Sequence, residues 1–469
     1  MTNFAQLDLK DWPQRVLFPL TVVAAVLGLA YYFGQSASIL VVGALIAVPA
    51  LLVLMLRPQL GLPALMIADL VVPFAIATGT QTVVNITILL LPLLLALWII
   101  EMLRHHHVEW LSSRVNVPLF LFCVSATVSL AAGIVPWNPF AHTAPFATQL
   151  AGWAVFILSA GAFWLLANRI QTEHQLKVLV GVFLVMSTPY ILSRLTPWQG
   201  LQGVLITYGA DGSVFWTWIT ALSLGQLLFN QKLRPWPRFY LIFLLGVSFV
   251  ACYFFNRLWT SGWVPMAITI GALIWLRSWR VGLLVTVIAL GVLLYTSPDF
   301  FAALLGAKQY STDTRLEAWR VVVTQVIPNS PIIGLGPANY YFYTQLYGIL
   351  GYAVSFNSHN QYVDIMAEMG IVGLGLYVWL QLQLGSLAWS LRNRFKGDFM
   401  QGYVFACLGA MVGMAEGGMQ NDWILPFAYN IGLNGFRASV LAWLFLGGLV
   451  FIENQAKQRA GAKDSVPAS

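Results

Sequence analysis

The chain has 469 residues, of which 59% are hydrophobic and 9% charged, and its formal net charge is +7. Soluble domains carry about 25% charged residues, so a water-facing surface over this length is excluded and a lipid bilayer must be the main solvent. The positive balance does not point to nucleic acid, because the basic residues sort by membrane side.

In chain order, a polar stretch from Thr2 to Asp11 comes first and shows no cleavable signal-peptide pattern. A membrane helix needs about 20 apolar residues. Runs of that kind lie near 16–33, 38–56, 61–78, 84–103, 117–134, 149–167, 177–193, 213–230, 238–255, 263–276, 281–297, 362–390, 400–416 and 437–453. The tight spacing within 38–78 and 263–297 leaves room for re-entrant pieces, so the expectation is an all-α integral membrane protein of about 12 to 14 transmembrane helices. The chain reads as one polytopic membrane domain, 1–469, with a polar tail at 454–469 on the cytoplasmic side. The three cysteines, Cys123, Cys252 and Cys407, sit in separate apolar runs with no zinc spacing and no disulfide framework.

Lys and Arg stay on the cytoplasmic side of a membrane protein. With the N-terminus inside, 18 of the 24 basic residues fall in inside loops. The other six, Arg194, Arg257, Lys308, Arg315, Arg320 and Arg437, fall outside, where the rule disfavours them. The longest non-membrane stretch, 298–361, is also outside, and a connector of that length is expected to be functional.

Two segments of this loop read as helix starts. Thr314-Arg315-Leu316-Glu317 has the form of a capping box, followed by Leu316, Trp319, Val322, Val323 and Val326 at helical spacing until Pro328 and Pro331. Ser358-His359-Asn360-Gln361 repeats the box and leads into Tyr362, Ile365, Met366 and Met369. The first helix is amphipathic and suits the membrane surface. Both boxes put a basic residue at the first helical position. The field of a helix N-terminus favours anions and disfavours an imidazolium, so His359 is expected to be neutral, the form a general base needs. Arg315 supplies a planar fork suited to phosphate oxygens, and Arg257 is a second candidate for the same anion. The plainer alternatives are a capping role for His359 and lipid head-group contacts for the arginines.

The segments Arg315-Leu316-Glu317-Ala318-Trp319, Pro331-Ile332-Ile333-Gly334-Leu335-Gly336, Ser358-His359-Asn360-Gln361-Tyr362 and Glu368-Met369-Gly370-Ile371-Val372-Gly373 together resemble the O-antigen ligase and polymerase superfamily over roughly 250–385. The resemblance implies a metal-independent, cofactor-free, inverting glycosyltransferase of the bacterial inner membrane, with its site facing the periplasm. Its donor would be an undecaprenyl diphosphate-linked glycan, and its acceptor a lipid or glycan such as lipid A-core. By that analogy His359 activates the acceptor hydroxyl, and Arg315 and Arg257 hold the diphosphate. Arg320, Asn360, Glu317, Trp319 and Tyr362 are supporting candidates. Where family members often carry Ser-Arg, this chain has Asn256-Arg257 followed by Leu258-Trp259. A polymerase joining lipid-linked repeat units uses the same chemistry with another acceptor. A transporter or flippase for the same glycans is the reading of another class, and it predicts inverted repeats and broken helices, neither of which is legible here. The oligomeric state is not readable.

Asp69, deep in the third expected span, is a functional candidate or a hydrogen-bond partner of a neighbouring helix. Glu416, Asp422 and Arg437 either line the acceptor site or pair with one another. No role is assigned to Arg194. His105-His106-His107 invites a metal reading but lies on the cytoplasmic side without further ligands and reads as a solvated loop. Tyr340, Tyr341, Phe342, Tyr343, Tyr347 and Tyr352 suit either sugar stacking or the aromatic belt of the interface.

Overall fold

The structure is a computed structural model that describes residues 49–50, 52–72, 74–77, 83–108, 110–195, 212–254, 259–296 and 309–464. The chain divides into two compact units, Met1–Gly61 and Leu62–Ser469. In the first, the described residues end in a 3-10 turn, Pro58–Leu60.

The second unit is built of helices. After α1 (Gly61–Val71) comes a short antiparallel ribbon of β1 (Ala75–Ala77) and β2 (Val83–Asn85), with Ile76 opposite Val84. Asn85 then caps α2 (Ile86–His105), its side chain accepting from the amides of Thr87 and Ile88. There follow α3 (Asn116–Gly133), α4 (Phe146–Arg169), α5 (Glu173–Leu195) and α6 (Ser213–Phe229). Next are α7 (Pro235–Phe249), which runs into a π turn at Val250–Phe254, then α8 (Thr260–Arg277) and α9 (Trp279–Thr296). The long loop expected outside holds α10 (Gln309–Val321) and the one-turn α11 (Tyr340–Tyr343). Three long helices close the chain: α12 (Gln361–Leu391), α13 (Phe399–Gln420) and α14 (Gly432–Asp464).

Among the described residues, eight helices are long and apolar enough to cross a membrane: α2 to α5, α7 with its π turn, α12, α13 and most of α14. α6 and Trp279–Gly291 of α9 are shorter apolar helices. The protein is therefore an all-α integral membrane protein, while the first expected span, 16–33, lies outside the described residues. The apolar window of α14 is 100% buried and that of α2 only 22%, which makes α14 the centre of the packing and α2 a lipid-facing helix. Small residues allow the close approaches: a Cβ on Gly225 of α6 would stand 2.7 Å from the Gly402 carbonyl of α13.

The sequence reading found no broken helix, yet α12 is two helices joined at Gly370, whose φ of 66° and ψ of −171° only glycine adopts readily. The turn after α10 fills the break. Leu335 and Gly336 donate to the carbonyls of Ala367 and Glu368 at 2.9 and 3.0 Å. Ile371 and Val372 donate to those of Pro331 and Ile332 at 2.9 and 3.3 Å. Backbone groups freed inside apolar surroundings need partners, and the Pro-x-x-Gly-x-Gly turn provides them. Gly334 and Gly336 (φ 76° and 90°) let it approach so closely.

Both helix starts in the outer loop differ from expectation. α10 already runs from Gln309, so Thr314 and Arg315 lie inside it and not at its start. Glu317 binds Arg320 through two hydrogen bonds, at 2.8 and 2.5 Å, in place of a capped amide, because an arginine fork one turn away offers a charged partner. At the second box, Asn360 and not Ser358 is the cap: its side chain accepts from the amides of Tyr362 and Val363, and α12 begins at Gln361. Ser358 is engaged elsewhere, donating to Asp364 Oδ1 at 2.6 Å and accepting from the Asn360 amide at 3.0 Å. His359 is thus left outside the helix in a left-handed conformation, φ 49°.

Candidate active site

The turn at 357–360 is held from three sides. Trp319 of α10 donates its indole N–H to the Ser358 carbonyl at 2.6 Å. Tyr340 of α11 accepts from the Ser358 amide at 3.1 Å and donates to Asp364 Oδ1. From the other side, Gln361 pairs with Leu425, accepting its amide at 2.8 Å and donating to its carbonyl at 3.0 Å, which docks the 421–431 loop on the start of α12. Tyr340 is fully buried and stacks on Phe427, 4.6 Å between centroids. A left-handed non-glycine residue costs about 1–3 kcal/mol, so His359 needs this clamp. Trp319→Phe, which keeps the ring and deletes the donor, is expected to slow turnover roughly threefold to tenfold, since one hydrogen bond contributes about 0.5–1.5 kcal/mol. Initial rates of the reconstituted protein check this.

His359 and Arg315 line one cavity of about 230 Å³, together with Thr314 and Ala318 of α10, Tyr341, Ile349, the 355–357 segment and Tyr429. Arg315 is half-buried and donates to the Gln420 carbonyl of α13 at 3.2 Å. Burial lowers its pKa, and among the described residues no carboxylate pairs with it. His359 is held down to about 4, first by burial and then by the Arg315 charge. Burial and the neighbouring cation both favour the neutral imidazole at pH 7.

Asn430 approaches the ring, with Nδ2 at 3.3 Å from His359 Nδ1. The same nitrogen donates to Asp422 Oδ1 and, at 3.3 Å, to Asn421 Oδ1. The amide orientation sets the tautomer. With NH2 toward the ring, Nδ1 accepts and Nε2 carries the proton; turned over, the amide oxygen accepts from Nδ1–H and Nε2 carries the lone pair. Asp422 is completely buried, which raises its carboxyl to about 6, and its second oxygen accepts from the Phe427 amide at 2.7 Å.

The remaining candidates scatter. Glu317 and Arg320 form an exposed pair on α10 and do not line the cavity. Tyr362 donates to the Ala415 carbonyl at 2.7 Å, tying α12 to α13. Asn360 is the helix cap, and Arg257 lies outside the described residues. Arg437 pairs with neither Glu416 nor Asp422. Its guanidinium donates to the carbonyls of Asp69 and Ala68, and Asp69 itself accepts from Thr87 at 2.5 Å. Glu416 accepts from Gln420 one turn on. The reason is topological: α14 packs its first turns near α1 and β2, away from the end of α13. Arg194 stacks on Tyr190, 5.5 Å from the ring centre. His105, His106 and His107 are exposed. Of the six loop aromatics singled out in the sequence, Tyr340 and Tyr343 are core, Tyr352 is exposed, and Tyr341 lines the cavity, as does Phe356.

Sequence reasoning missed Asn430 and Tyr429, and of its two alternatives for Asp422 the pairing with Glu416 or Arg437 is not formed, since Asp422 accepts from Asn430 and Phe427. The legible signal was the polar segment Asn421-Asp422 and Asn430 set between two apolar runs.

No curated protein matches the chain. Residues 240–378 match the family described as O-Antigen ligase. Arg315, Trp319, the glycine turn, the histidine turn and the break at Gly370 all fall within the matched stretch, whereas Asp422, Tyr429 and Asn430 lie beyond it. Over residues 240–378, less than a third of its length, the chain carries a domain of the O-antigen ligase family.

Proposed function

We propose that the protein transfers a glycan from a polyprenyl diphosphate, of the undecaprenyl type, to a hydroxyl of a lipid-borne acceptor, on the outer side of the bacterial inner membrane. The observation that carries this reading is the joint exposure to one cavity of a neutral imidazole and a half-buried guanidinium that no carboxylate among the described residues pairs with, His359 beside Arg315. His359 Nε2 takes the proton of the acceptor hydroxyl. The hydroxyl oxygen forms its bond to the anomeric carbon as the bond from that carbon to the phosphate oxygen breaks, with inversion. The electron pair leaves on the diphosphate, whose charge meets Arg315; Arg257 is the second cation of the proposal. A diphosphate is already a good leaving group, so fixed cations serve it better than an acid. Nε2 acts as the base only when the Asn430 amide turns its oxygen to Nδ1–H. Burial favours the protonated form of the Asp422 carboxyl, and in that form it donates to this oxygen.

A base held near 4 is ready but weak. Donor binding offsets the Arg315 charge and so restores its basicity. The base works deprotonated, so activity falls as pH drops through its pKa. In kcat/KM, which reports the free enzyme, the acid limb is expected below pH 5. In kcat, which reports the donor complex, it is expected at higher pH. Arg315→Gln should raise the kcat/KM limb, but only in part, because burial is the larger cause. An acid limb at the same pH in both profiles would contradict the coupling.

The test is reconstitution in liposomes with a defined undecaprenyl diphosphate oligosaccharide and EDTA, offering lipid A-core and a second lipid-linked glycan as acceptors. Transfer to the first makes the protein a ligase and transfer to the second a polymerase. Absence of any transfer product rejects the reading.

A further inference from the structure

The cavity has a wall that proton transfer and leaving-group stabilisation do not use. Tyr341 stacks on Tyr429 with centroids 4.6 Å apart and planes 14° from parallel. Both are half-buried, and Phe356 stands beside them on the lining. The same wall carries Asn357, whose Oδ1 is buried and has no hydrogen-bond partner among the described residues. Leaving a buried acceptor unmet costs about 1–3 kcal/mol, and such groups are rare without a reason.

We propose that Tyr341, Tyr429, Phe356 and Asn357 form a subsite for one pyranose ring of the glycan, set beside His359. A pyranose has an apolar face of C–H bonds, which suits the negative face of an aromatic ring, and a rim of hydroxyls. One of these hydroxyls donates to Asn357 Oδ1. An isoprenoid tail would fill the aromatic wall but leave that oxygen unmet. The volume, about 230 Å³, is below the roughly 300–1,000 Å³ of sites for drug-sized ligands, so the wall takes a single ring and not a length of chain. The choice of a carbohydrate rests on the glycan-transfer reading above. The ring belongs either to the donor, at the carbon that bears the diphosphate, or to the acceptor.

The first experiment needs no turnover. Saturation-transfer NMR of the full-length protein in nanodiscs is run with free glucose, galactose, N-acetylglucosamine and rhamnose at millimolar concentration. Ring protons of at least one sugar should receive saturation. The signal should be lost in Tyr341→Ala and in Asn357→Leu and kept in Tyr341→Phe. No signal from any sugar, or signals that Tyr341→Ala and Asn357→Leu leave intact, would overturn the subsite. The second experiment measures KM for donor and acceptor separately. Asn357→Leu should raise one of them at least tenfold while kcat changes less than threefold. A rise for the donor assigns the ring to the donor, and a rise for the acceptor assigns it there. Unchanged values for both, or a fall confined to kcat, would overturn the proposal while leaving glycan transfer standing. Sugar binding without any transfer would instead reject the transfer reading and keep the subsite.

Discussion

His359→Ala is expected to lower glycan transfer by at least about 10²-fold while leaving the folded protein in place. General-base catalysis contributes about 10²- to 10⁴-fold, and the imidazole is the proposed base. The substitution is unusually clean. The turn around it is held by Trp319 on the Ser358 carbonyl, Ser358 on Asp364, Asn360 on the α12 amides and Gln361 on Leu425. None of these bonds uses the imidazole, whose one recorded partner is Asn430. Deleting the ring enlarges an existing cavity and leaves no buried charge. The measurement is the initial rate of product formation in liposomes at saturating donor, beside a melting curve. Wild-type rates would sink the mechanism. Loss of rate with loss of melting temperature would instead mean that the ring is structural. A carrier of lipid-linked glycans needs no base, so undiminished glycan flux in this variant with no transfer product would favour that class.

The second large effect is structural. Gly370→Ala is expected to prevent accumulation of folded protein, and Gly375→Ala, five residues on in the same helix, to be tolerated. Gly370 combines φ 66° with ψ −171°, a region that costs a residue with a side chain about 1–3 kcal/mol. Its Cβ would also collide with the Ile332 carbonyl. Relief means moving the 331–336 turn, which breaks the four backbone bonds between that turn and α12. In apolar surroundings each orphaned group costs several kcal/mol, more than a domain's usual margin of about 5–15 kcal/mol can bear. A Cβ on Gly375 meets nothing within 4 Å. Yield and monodispersity in size-exclusion chromatography read the contrast. Comparable yields of the two variants would show that the turn does not hold the broken helix together.

The matched stretch also gains a physical sense from this pairing. Pro331 to Gly336 and Glu368 to Gly373 are remote in sequence but form one object, a turn seated in a helix break. Ser129 of α3 donates to the Glu368 carbonyl there, and Ala338 donates to Glu368 Oε1 at 2.6 Å. That object fixes where α10 and the start of α12 meet, and hence where Arg315 and His359 face each other.

Residue order alone settled much of this protein. Apolar runs and scarce charge are local properties, so the all-α membrane class was legible. So were the end, near Pro328, of the helical run that α10 opens, which continues as a π turn over Val322–Val326 and a 3-10 turn over Ile327–Asn329, and the start of α12 within two residues of its observed place. Arg315 stood out because charge on the outer side is rare, and His359 because it sits in a capping box at a helix start. Tertiary structure decided what depends on distant partners. Whether Ser358 or Asn360 caps α12 turned on Asp364, held by Tyr340, accepting the serine hydroxyl. Whether Glu317 caps a helix or binds Arg320 turned on how far back α10 extends. Asp422 reaches His359 through Asn430, and Arg437 goes to Asp69, because the 421–431 loop docks on α12 while α14 turns toward α1. For His359 the sequence offered only a helix dipole as a reason for neutrality, whereas burial beside Arg315 favours the same state and exists only once the chain has folded.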